Sequence, residues 1–140
     1  AVFFISKNAL EDFNMQFSQV LIITNNPIVK NIANADICFV NGNQRQVLYQ
    51  VLNKIAGGHN LLSHPLSGSI KPEDNPYRSV VLTSSISEVD LSTLSMLEYC
   101  LKKVESGVTK KIDCHIIHQR DRDFQIIDKE LLDNALQSLM

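Results

Sequence analysis

The sequence has little of what marks a membrane protein, a secreted protein or a nucleic-acid-binding protein. No segment approaches the roughly 18 to 20 continuous apolar residues of a transmembrane helix. The 13 basic and 15 acidic residues give a net charge of −2, without the basic excess of a nucleic-acid binder. The three cysteines are widely spaced and form no Cys-x-x-Cys pair, which argues against a disulfide framework and a structural zinc site. We therefore expect a cytoplasmic protein that binds neither membranes nor nucleic acid.

Glycine and proline are also sparse, with five and four copies, and this composition excludes global disorder. Hydrophobic residues make up 44% of the chain, which is enough to form a packed core. A domain of this length buries roughly 68% of the surface that its unfolded chain exposes. The predicted organisation is an N-terminal extension over residues 1–19, followed by a single α/β domain over residues 20–140.

The N-terminal extension allows two interpretations, and both stay open. The apolar run over residues 2–5 predicts an extra strand, followed by a short helix capped by Ser6. Alternatively, residues 1–14 are an appendage, because Met15 stands just before the first convincing strand.

Continuous apolar, β-branched runs predict buried strands at residues 20–23, 37–40 and 79–83. Apolar residues at spacings of three and four predict a helix over residues 44–56. The pair Gly57-Gly58 is typical of a left-handed helix end, and residues 61–62 predict a brief strand.

The remaining segments predict three more elements. Asn26 and Pro27 fit the cap and the first position of a helix after the first strand. Ser87 to Asp90 begin a helix that Gly107 ends. Residues 108–123 stay ambiguous, residues 124–127 resemble a strand, and Asp128 caps a final helix.

Strand and helix thus alternate through most of the chain, which predicts a three-layer α/β/α sandwich with a mostly parallel sheet. Ligands of such sheets bind beyond the carboxyl ends of the strands. This rule predicts that residues 24–26, the loop over residues 63–71 and residues 83–85 meet at one edge.

The long connection over residues 58–78 is the most informative stretch of the chain. It contains hydroxyls, histidine and cations, and long structured loops are more often functional than short links. His64 is also a weak candidate for a general acid or base. The alternatives are ordinary turn chemistry at residues 24–26 and a surface loop held by its own hydrogen bonds. The candidate ligand-binding residues are Thr24, Asn25, Asn26, His64, Ser67, Gly68, Ser69, Lys71, Tyr77 and Arg78.

The sequence predicts no metal site and indicates no particular cofactor. Asp113, His115 and His118 lie close together, but neither a His-Glu-x-x-His helix nor a calcium-loop pattern is present. The alternating charges around them are typical of a solvated surface.

Three blocks of the chain, at residues 23–27, 58–72 and 76–79, together resemble the GrdX family, small proteins encoded beside the glycine, sarcosine and betaine reductase genes of amino-acid-fermenting anaerobes. The resemblance runs from about Val20 to the C-terminus, and its specific part is His-Pro-Leu-Ser-Gly-Ser at residues 64–69. It implies a cytoplasmic protein associated with selenium-dependent Stickland fermentation and does not imply a mechanism. The other two blocks are Ile-Thr-Asn-Asn-Pro at residues 23–27 and Pro-Tyr-Arg-Ser at residues 76–79.

A second, local resemblance links residues 22–30 to the opening strand-turn-helix of the inosine triphosphate pyrophosphatases. It implies phosphate contacts for Thr24, Asn25, Asn26 and Lys30. The acidic motifs that carry the magnesium chemistry of those enzymes, Asp-Asp-Ser-Gly and Gly-Tyr-Asp-Pro, have no counterpart here.

These observations favour an accessory protein of an amino-acid reductase system that binds a small anionic metabolite. One alternative is an enzyme that hydrolyses nucleotides or phosphate esters. The other is a protein that docks onto a reductase subunit. Whether the chain is an enzyme and whether it forms a homo-oligomer stay open.

Overall fold

The computed structural model describes residues 19–30, 32, 34–64, 75–107 and 114–139. These form three strands and three helices. Both interpretations of residues 1–14 and most of the predicted loop site lie outside the described residues. In chain order the elements are β1 (Val20–Thr24), β2 (Ala35–Phe39), α1 (Gln44–Ala56), β3 (Ser79–Thr83), α2 (Leu91–Gly107) and α3 (Cys114–Ser138).

The sheet is mixed, with the strand order β2-β1-β3. Strand β2 runs parallel to β1, whereas β3 runs antiparallel to it, so the expected mostly parallel sheet is wrong. Helix α1 is followed by a short extended segment in which Leu61 bridges antiparallel to Leu82 of β3. The chain then enters β3 at Ser79, and β3 pairs antiparallel with β1.

This reversal changes which residues share an edge of the sheet. Thr24, at the carboxyl end of β1, pairs with Ser79, the first residue of β3. Thr83 pairs with Val20 at the opposite edge. Residues 83–85 therefore lie away from residues 24–26, contrary to the prediction, and the chain entering β3 takes their place.

Hydrophobic residues pack on both faces of the sheet because alternate side chains of a strand point to opposite sides. On one face, the cluster contains β1 and β3 residues with Leu132 of α3 and with Leu139, which follows that helix. On the other, Ile23, Val80 and Leu82 pack against Val47, Val51 and Ile55 of α1.

Helix α1 begins and ends where the sequence predicts. The Asn43 side chain accepts a hydrogen bond from Gln46 N, and the Gln46 side chain accepts one from Asn43 N, which forms a capping box. At the other end, Gly58 N donates to Ile55 O and His59 N donates to Lys54 O. This is the Schellman arrangement, and Gly58 has the positive φ, 105°, that the arrangement uses.

Helix α2 also follows its prediction. Asp90 Oδ1 accepts hydrogen bonds from the Ser92 and Thr93 backbone N–H groups at 3.0 and 3.4 Å and so caps the helix. Leu97, Leu101 and Val104 are buried at the predicted helical spacing.

The predicted helix after β1 is wrong. Asn26 O accepts a hydrogen bond from Val29 N, and Asn26 Oδ1 accepts one from Ile28 N. These bonds close a turn in which Asn26 and Pro27 take part, and the described residues between β1 and β2 form no helix. Asn and Pro favour turns as strongly as they favour helix starts, so the local signal did not separate the two.

The predicted strand at residues 124–127 is also wrong, because these residues lie inside α3. Asp128 lies within the helix and is buried, so it does not cap a helix start. The apolar pair Ile126 and Ile127 is exposed, whereas Gln125 and Asp128 face inward. Because polar residues occupy the buried face of this segment, its apolar residues do not show the spacing of an amphipathic helix.

None of the helices described here is long and apolar enough to span a bilayer.

Candidate functional site

Polar side chains from β1, β3 and α3 meet at the edge of the sheet where β1 ends. Seven of these residues have no more than 8% of their surface exposed, which is unusual for so many polar groups. We call this set the polar junction. Its members are Thr24, Asn25, Asn26, Asn75, Tyr77, Arg78, Ser79, Asp121, Gln125 and Asp128.

Asn25 joins three segments of backbone. Its Nδ2 donates to Gly42 O at 3.0 Å and to Pro76 O at 2.9 Å. Its Oδ1 accepts from Arg78 N at 2.8 Å. The amide therefore fixes the chain entering β3 against the end of β1.

Asn26 joins the end of β1 to α3. Its Nδ2 donates to Gln125 O at 2.9 Å and to Asp128 Oδ2 at 3.0 Å. Its backbone N–H donates to Thr24 Oγ1 at 3.0 Å. The expected helix N-terminus with exposed N–H groups is therefore absent here, because this N–H is bonded within the protein.

Ser79 completes the connection between the sheet and α3. Its hydroxyl donates to Asp128 Oδ2 at 2.6 Å. The Thr24 hydroxyl lies 2.7 Å from Ser79 Oγ. Because Ser79 donates its proton to the carboxylate, Thr24 is the donor in this second bond. One oxygen of Asp128 thus receives hydrogen bonds from both Asn26 and Ser79.

Asp128 is 4% exposed, and burial raises the pKa of its carboxyl group. The hydrogen bonds from Ser79 and Asn26 and the positive charge of Arg78 oppose this rise in the pKa. They favour the ionised form, as such partners do in general.

Arg78 is the buried cation of the polar junction, with 4% of its surface exposed. Its Nη2 donates to Gln44 Oε1 at 3.0 Å. Burial lowers the pKa of the guanidinium, while Asp128 and Cys100 act in the opposite direction. Arginine stays protonated in proteins, so a positive charge lies inside this edge of the protein.

Tyr77, Asp121 and Gln125 form a second group at the outer side of the junction. The Tyr77 hydroxyl donates to Asp121 Oδ1. Gln125 Nε2 lies 3.1 Å from the Tyr77 hydroxyl and 2.9 Å from Asp121 Oδ2. Burial and the bond to Asp121 raise the pKa of Tyr77, with Gln125 acting against them, so the phenol stays protonated at neutral pH.

His64 lies beside the polar junction, in the segment that precedes the long loop. Partial burial and the nearby charge of Arg78 lower the pKa of His64, although much of its side chain is exposed. Its imidazole is therefore mainly neutral at pH 7.

A cavity of about 10 Å³ lies between residues 63–64, the start of β3 and helix α3. It has room for a single water-sized group. Its polar lining residues are Ser63, His64, Arg78, Ser79 and Asp128, and its apolar ones are Leu131, Leu132 and Ala135.

The structure brings together part of the predicted site. Thr24, Asn25, Asn26, Tyr77 and Arg78 belong to the polar junction, and His64 lies at its cavity. Ligand contacts for these residues stay a prediction, because the hydrogen bonds described above are all internal to the protein. Ser67, Gly68, Ser69 and Lys71 lie outside the described residues.

Sequence reasoning missed half of the junction. Asp121, Gln125 and Asp128 have the i, i+4, i+7 spacing of one helix face, a signal that the strand assignment for residues 124–127 concealed. Asn75 directly precedes the Pro-Tyr-Arg block but is not among the predicted site residues. Its Nδ2 donates to Phe124 O at 3.2 Å. Gln44 opens α1 and carries no sequence signal for contact with Arg78.

A larger groove, of about 500 Å³, lies beside β2. Lys30 lines it with Pro27, Val29, Ile37 and Phe39. The local resemblance to inosine triphosphate pyrophosphatases implies that Lys30 shares a site with residues 24–26. Lys30 instead lines this separate and mainly apolar groove.

Within the described residues, no group of three or more histidine, cysteine, aspartate or glutamate side chains is arranged to hold a metal ion. Asp113 and the side chains of His115 and His118 lie outside this description.

The fold and the junction define a mixed α/β protein whose polar site lies between a sheet edge and a long helix. The chain belongs to the GrdX-like protein family, whose family model matches residues 21–137. The family resemblance seen in the three sequence blocks is therefore confirmed. No curated protein and no solved structure matches the chain.

Proposed function

We propose that this protein is an accessory protein of a glycine, sarcosine or betaine reductase system and binds a small anionic metabolite at the polar junction. Membership of the GrdX-like family supports the context. The buried guanidinium of Arg78 beside a cavity carries the binding part of the proposal. A fully buried cation is costly for a protein, so its retention has a functional explanation when it borders a cavity.

The chemistry of the junction fits an anion that carries a carboxylate. A guanidinium offers donors in a planar fork that match carboxylate oxygens. His64, which lines the cavity, adds a hydrogen-bonding group. The predicted loop residues Ser67, Ser69 and Lys71 follow His64 closely in the chain and complete the proposed site.

A thermal-shift screen of the purified protein tests this function. The ligands are acetate, glycine, sarcosine, betaine, phosphate and nucleotides, each with and without magnesium. A ligand at 100 times its dissociation constant stabilises by about 2.7 kcal/mol, which shifts the midpoint by about 5 °C or more. We expect a shift with at least one carboxylate ligand.

Matched arginine variants show whether the shift comes from the junction. Arg78→Lys keeps the charge and removes the fork, and we expect it to abolish most of the shift. Arg45→Lys is the control, because Arg45 is exposed on α1 and contacts the Tyr49 ring and hydroxyl. A ligand shift that is equal in both variants would contradict binding at Arg78.

The same screen separates the alternatives. Turnover of nucleotides or phosphate esters that disappears in His64→Ala would favour the hydrolase. A screen without any shift, together with binding of a purified reductase subunit, would favour the docking protein.

A further inference from the structure

Strand β2 is an edge of the sheet, because β1 is its only neighbouring strand among the residues that the structure describes. Val40 N donates a hydrogen bond to β1, and Asn34 O accepts one from β1. In a parallel pair of strands, successive residues turn their N–H and C=O groups to opposite sides. The backbone N–H and C=O groups of Ala35, Ile37 and Phe39 therefore point away from β1, towards the outer side of β2.

The groove of about 500 Å³ lies beside the same residues, since Ile37 and Phe39 line it. Phe39 is 52% exposed, although it belongs to a strand. Sheets usually protect an open edge with lysine, proline or a bulge. Strand β2, Ala-Asp-Ile-Cys-Phe, contains neither residue, and its one charge, Asp36, lies on the opposite face from Ile37 and Phe39.

This arrangement is typical of a site for β-strand addition. Backbone groups along the edge bind the backbone of an extended segment, and an adjacent apolar groove binds alternate side chains of that segment. The side chain that enters the groove beside β2 is apolar, because Pro27, Val29, Ile37 and Phe39 line it together with Lys30.

Residues 2–5, Val-Phe-Phe-Ile, have the composition of such a segment and belong to the same chain. They lie outside the described residues. Aromatic and β-branched residues favour strands, and a run of four has no polar side chain to face water. Because alternate side chains of a strand point to opposite faces, either Phe3 or Phe4 faces the groove when this run lies along β2.

The length of chain between residue 5 and β1 allows this placement. Val20, which begins β1, lies beside Ala35, which begins β2. Neighbouring strands are about 4.8 Å apart, so a strand on the outer side of β2 is about 10 Å from β1. Residues 6–19 reach roughly 45 Å when extended and roughly 20 Å even if they are helical.

The same connection favours this segment over a second copy of the chain. A tethered segment has an effective concentration in the range of about a millimolar, well above the concentration at which a purified protein is usually studied. A second copy that pairs β2 with β2 also brings two Asp36 side chains to one face of the joined sheet, where like charges repel.

We propose that the outer edge of β2 and the groove beside it form a docking site for an extended apolar segment, and that residues 2–5 of the same chain occupy it as a fourth strand. This inference favours the first of the two interpretations of the N-terminal extension. It concerns a surface separate from the polar junction and does not rest on the proposed function.

Amide hydrogen exchange of the full chain, followed by NMR, tests whether the edge is occupied. A backbone N–H that is paired in a sheet exchanges slowly, whereas an unpaired one exchanges rapidly. The Asp36 and Cys38 amides face β1 and serve as the internal reference. In the wild type we expect the Ile37 and Phe39 amides to exchange within about tenfold of that reference.

The double variant Phe3→Ser/Phe4→Ser assigns the protection to residues 2–5. We expect exchange at Ile37 and Phe39 to become faster by about tenfold or more, with no change at the reference amides. The matched control is Ile126→Ser/Ile127→Ser, which removes an exposed apolar pair from α3 and is expected to leave the exchange at β2 unchanged.

Nuclear Overhauser effects on the wild type identify the occupant without any substitution. We expect contacts between the Phe3 or Phe4 ring and the Ile37 methyl groups. In a mixture of labelled and unlabelled protein, these contacts are expected only within one chain, and the protection at β2 is expected not to change with protein concentration.

Three results would overturn the inference. Rapid exchange of the Ile37 and Phe39 amides in the wild type would show that the edge is open. Protection that the Phe3→Ser/Phe4→Ser variant retains would assign the edge to a different segment. Contacts that appear only between labelled and unlabelled chains would assign it to a second copy. None of these results bears on ligand binding at Arg78.

Discussion

Ser79 Oγ donates to Asp128 Oδ2 over 2.6 Å and so joins the first residue of β3 to the interior of α3. Removing this hydroxyl in Ser79→Ala leaves the buried carboxylate with one donor fewer and leaves the Thr24 hydroxyl without its acceptor. Hydrogen bonds to charged groups contribute about 1.5 to 3 kcal/mol, so we expect a loss of about 2 kcal/mol in the free energy of unfolding.

Urea denaturation at neutral pH measures this loss. Ser138→Ala is the control, because Ser138 is exposed and its hydroxyl donates to Ala135 O within the same helix. It is expected to change the free energy of unfolding by less than about 0.5 kcal/mol. Equal effects of the two substitutions would contradict a stabilising contribution of the Ser79–Asp128 hydrogen bond to the free energy of unfolding.

Asn25→Asp tests the bridge between the end of β1 and the chain entering β3. The substitution replaces an amide that donates to Gly42 O and Pro76 O with an oxygen that repels both carbonyls. We expect a loss of about 3 kcal/mol at neutral pH, because two buried acceptors lose their donor and a charge is buried. The control is Asn41→Asp at an exposed position, with an effect below about 0.5 kcal/mol. Thermal unfolding of both variants supplies the comparison.

Gly58 and Gly57 offer a matched pair at the end of α1. A Cβ at Gly58 would lie 2.5 Å from Ser87 O, and the residue has a φ of 105°. Gly58→Ala is therefore expected to destabilise by about 1 to 3 kcal/mol. At Gly57 the nearest atom to a Cβ is 3.4 Å away and φ is −84°, so Gly57→Ala is expected to change stability by less than about 1 kcal/mol. A Gly58→Ala protein as stable as Gly57→Ala would contradict the described turn.

The raised pKa of Asp128 makes a prediction about pH. A carboxyl whose folded pKa lies above its unfolded value binds its proton more tightly in the folded state. Its stabilising contribution is complete below the unfolded pKa, about 3.9, and is lost as the pH rises towards the folded pKa. Asp128→Asn removes this titration.

We therefore expect the stability of Asp128→Asn relative to the wild type to improve as the pH rises from about 4, until Asp128 is ionised. Guanidinium denaturation at several pH values between 4 and 8 measures the difference. Asp133→Asn, on the same helix, should show no such trend, since Asp133 is about half exposed. A pH-independent difference for Asp128→Asn would show that burial of this carboxyl does not raise its pKa.

Local patterns were sufficient for much of the fold. The strand at Ser79–Thr83 and the helix at Gln44–Ala56 were predicted with these bounds, because an apolar β-branched run and a helical stripe are unambiguous at these lengths. The direction of β3 was not predictable in this way. It depends on whether the chain crosses back over the sheet, and residues 61–64 give no local signal for that choice.

The site was predictable where it lies on the segments that carry the family blocks. Thr24, Asn25, Asn26 and Arg78 were found in this way and do meet in the structure. Asp128 was missed because its side chain is polar on a buried helix face, where a binary pattern expects an apolar residue. Its partners Asn26 and Ser79 come from distant parts of the chain, and no sequence window contains all three.

The bond between Asn26 and Asp128 joins residues 102 positions apart. During synthesis on the ribosome, β1, β2 and β3 emerge well before residue 128. The Arg78 cation, which is buried in the folded protein, is therefore made before the Asp128 carboxylate. Closure of such a long loop is slow compared with local pairing. The order of translation therefore places the docking of α3 after the assembly of the sheet, and the junction becomes competent only once α3 has been made.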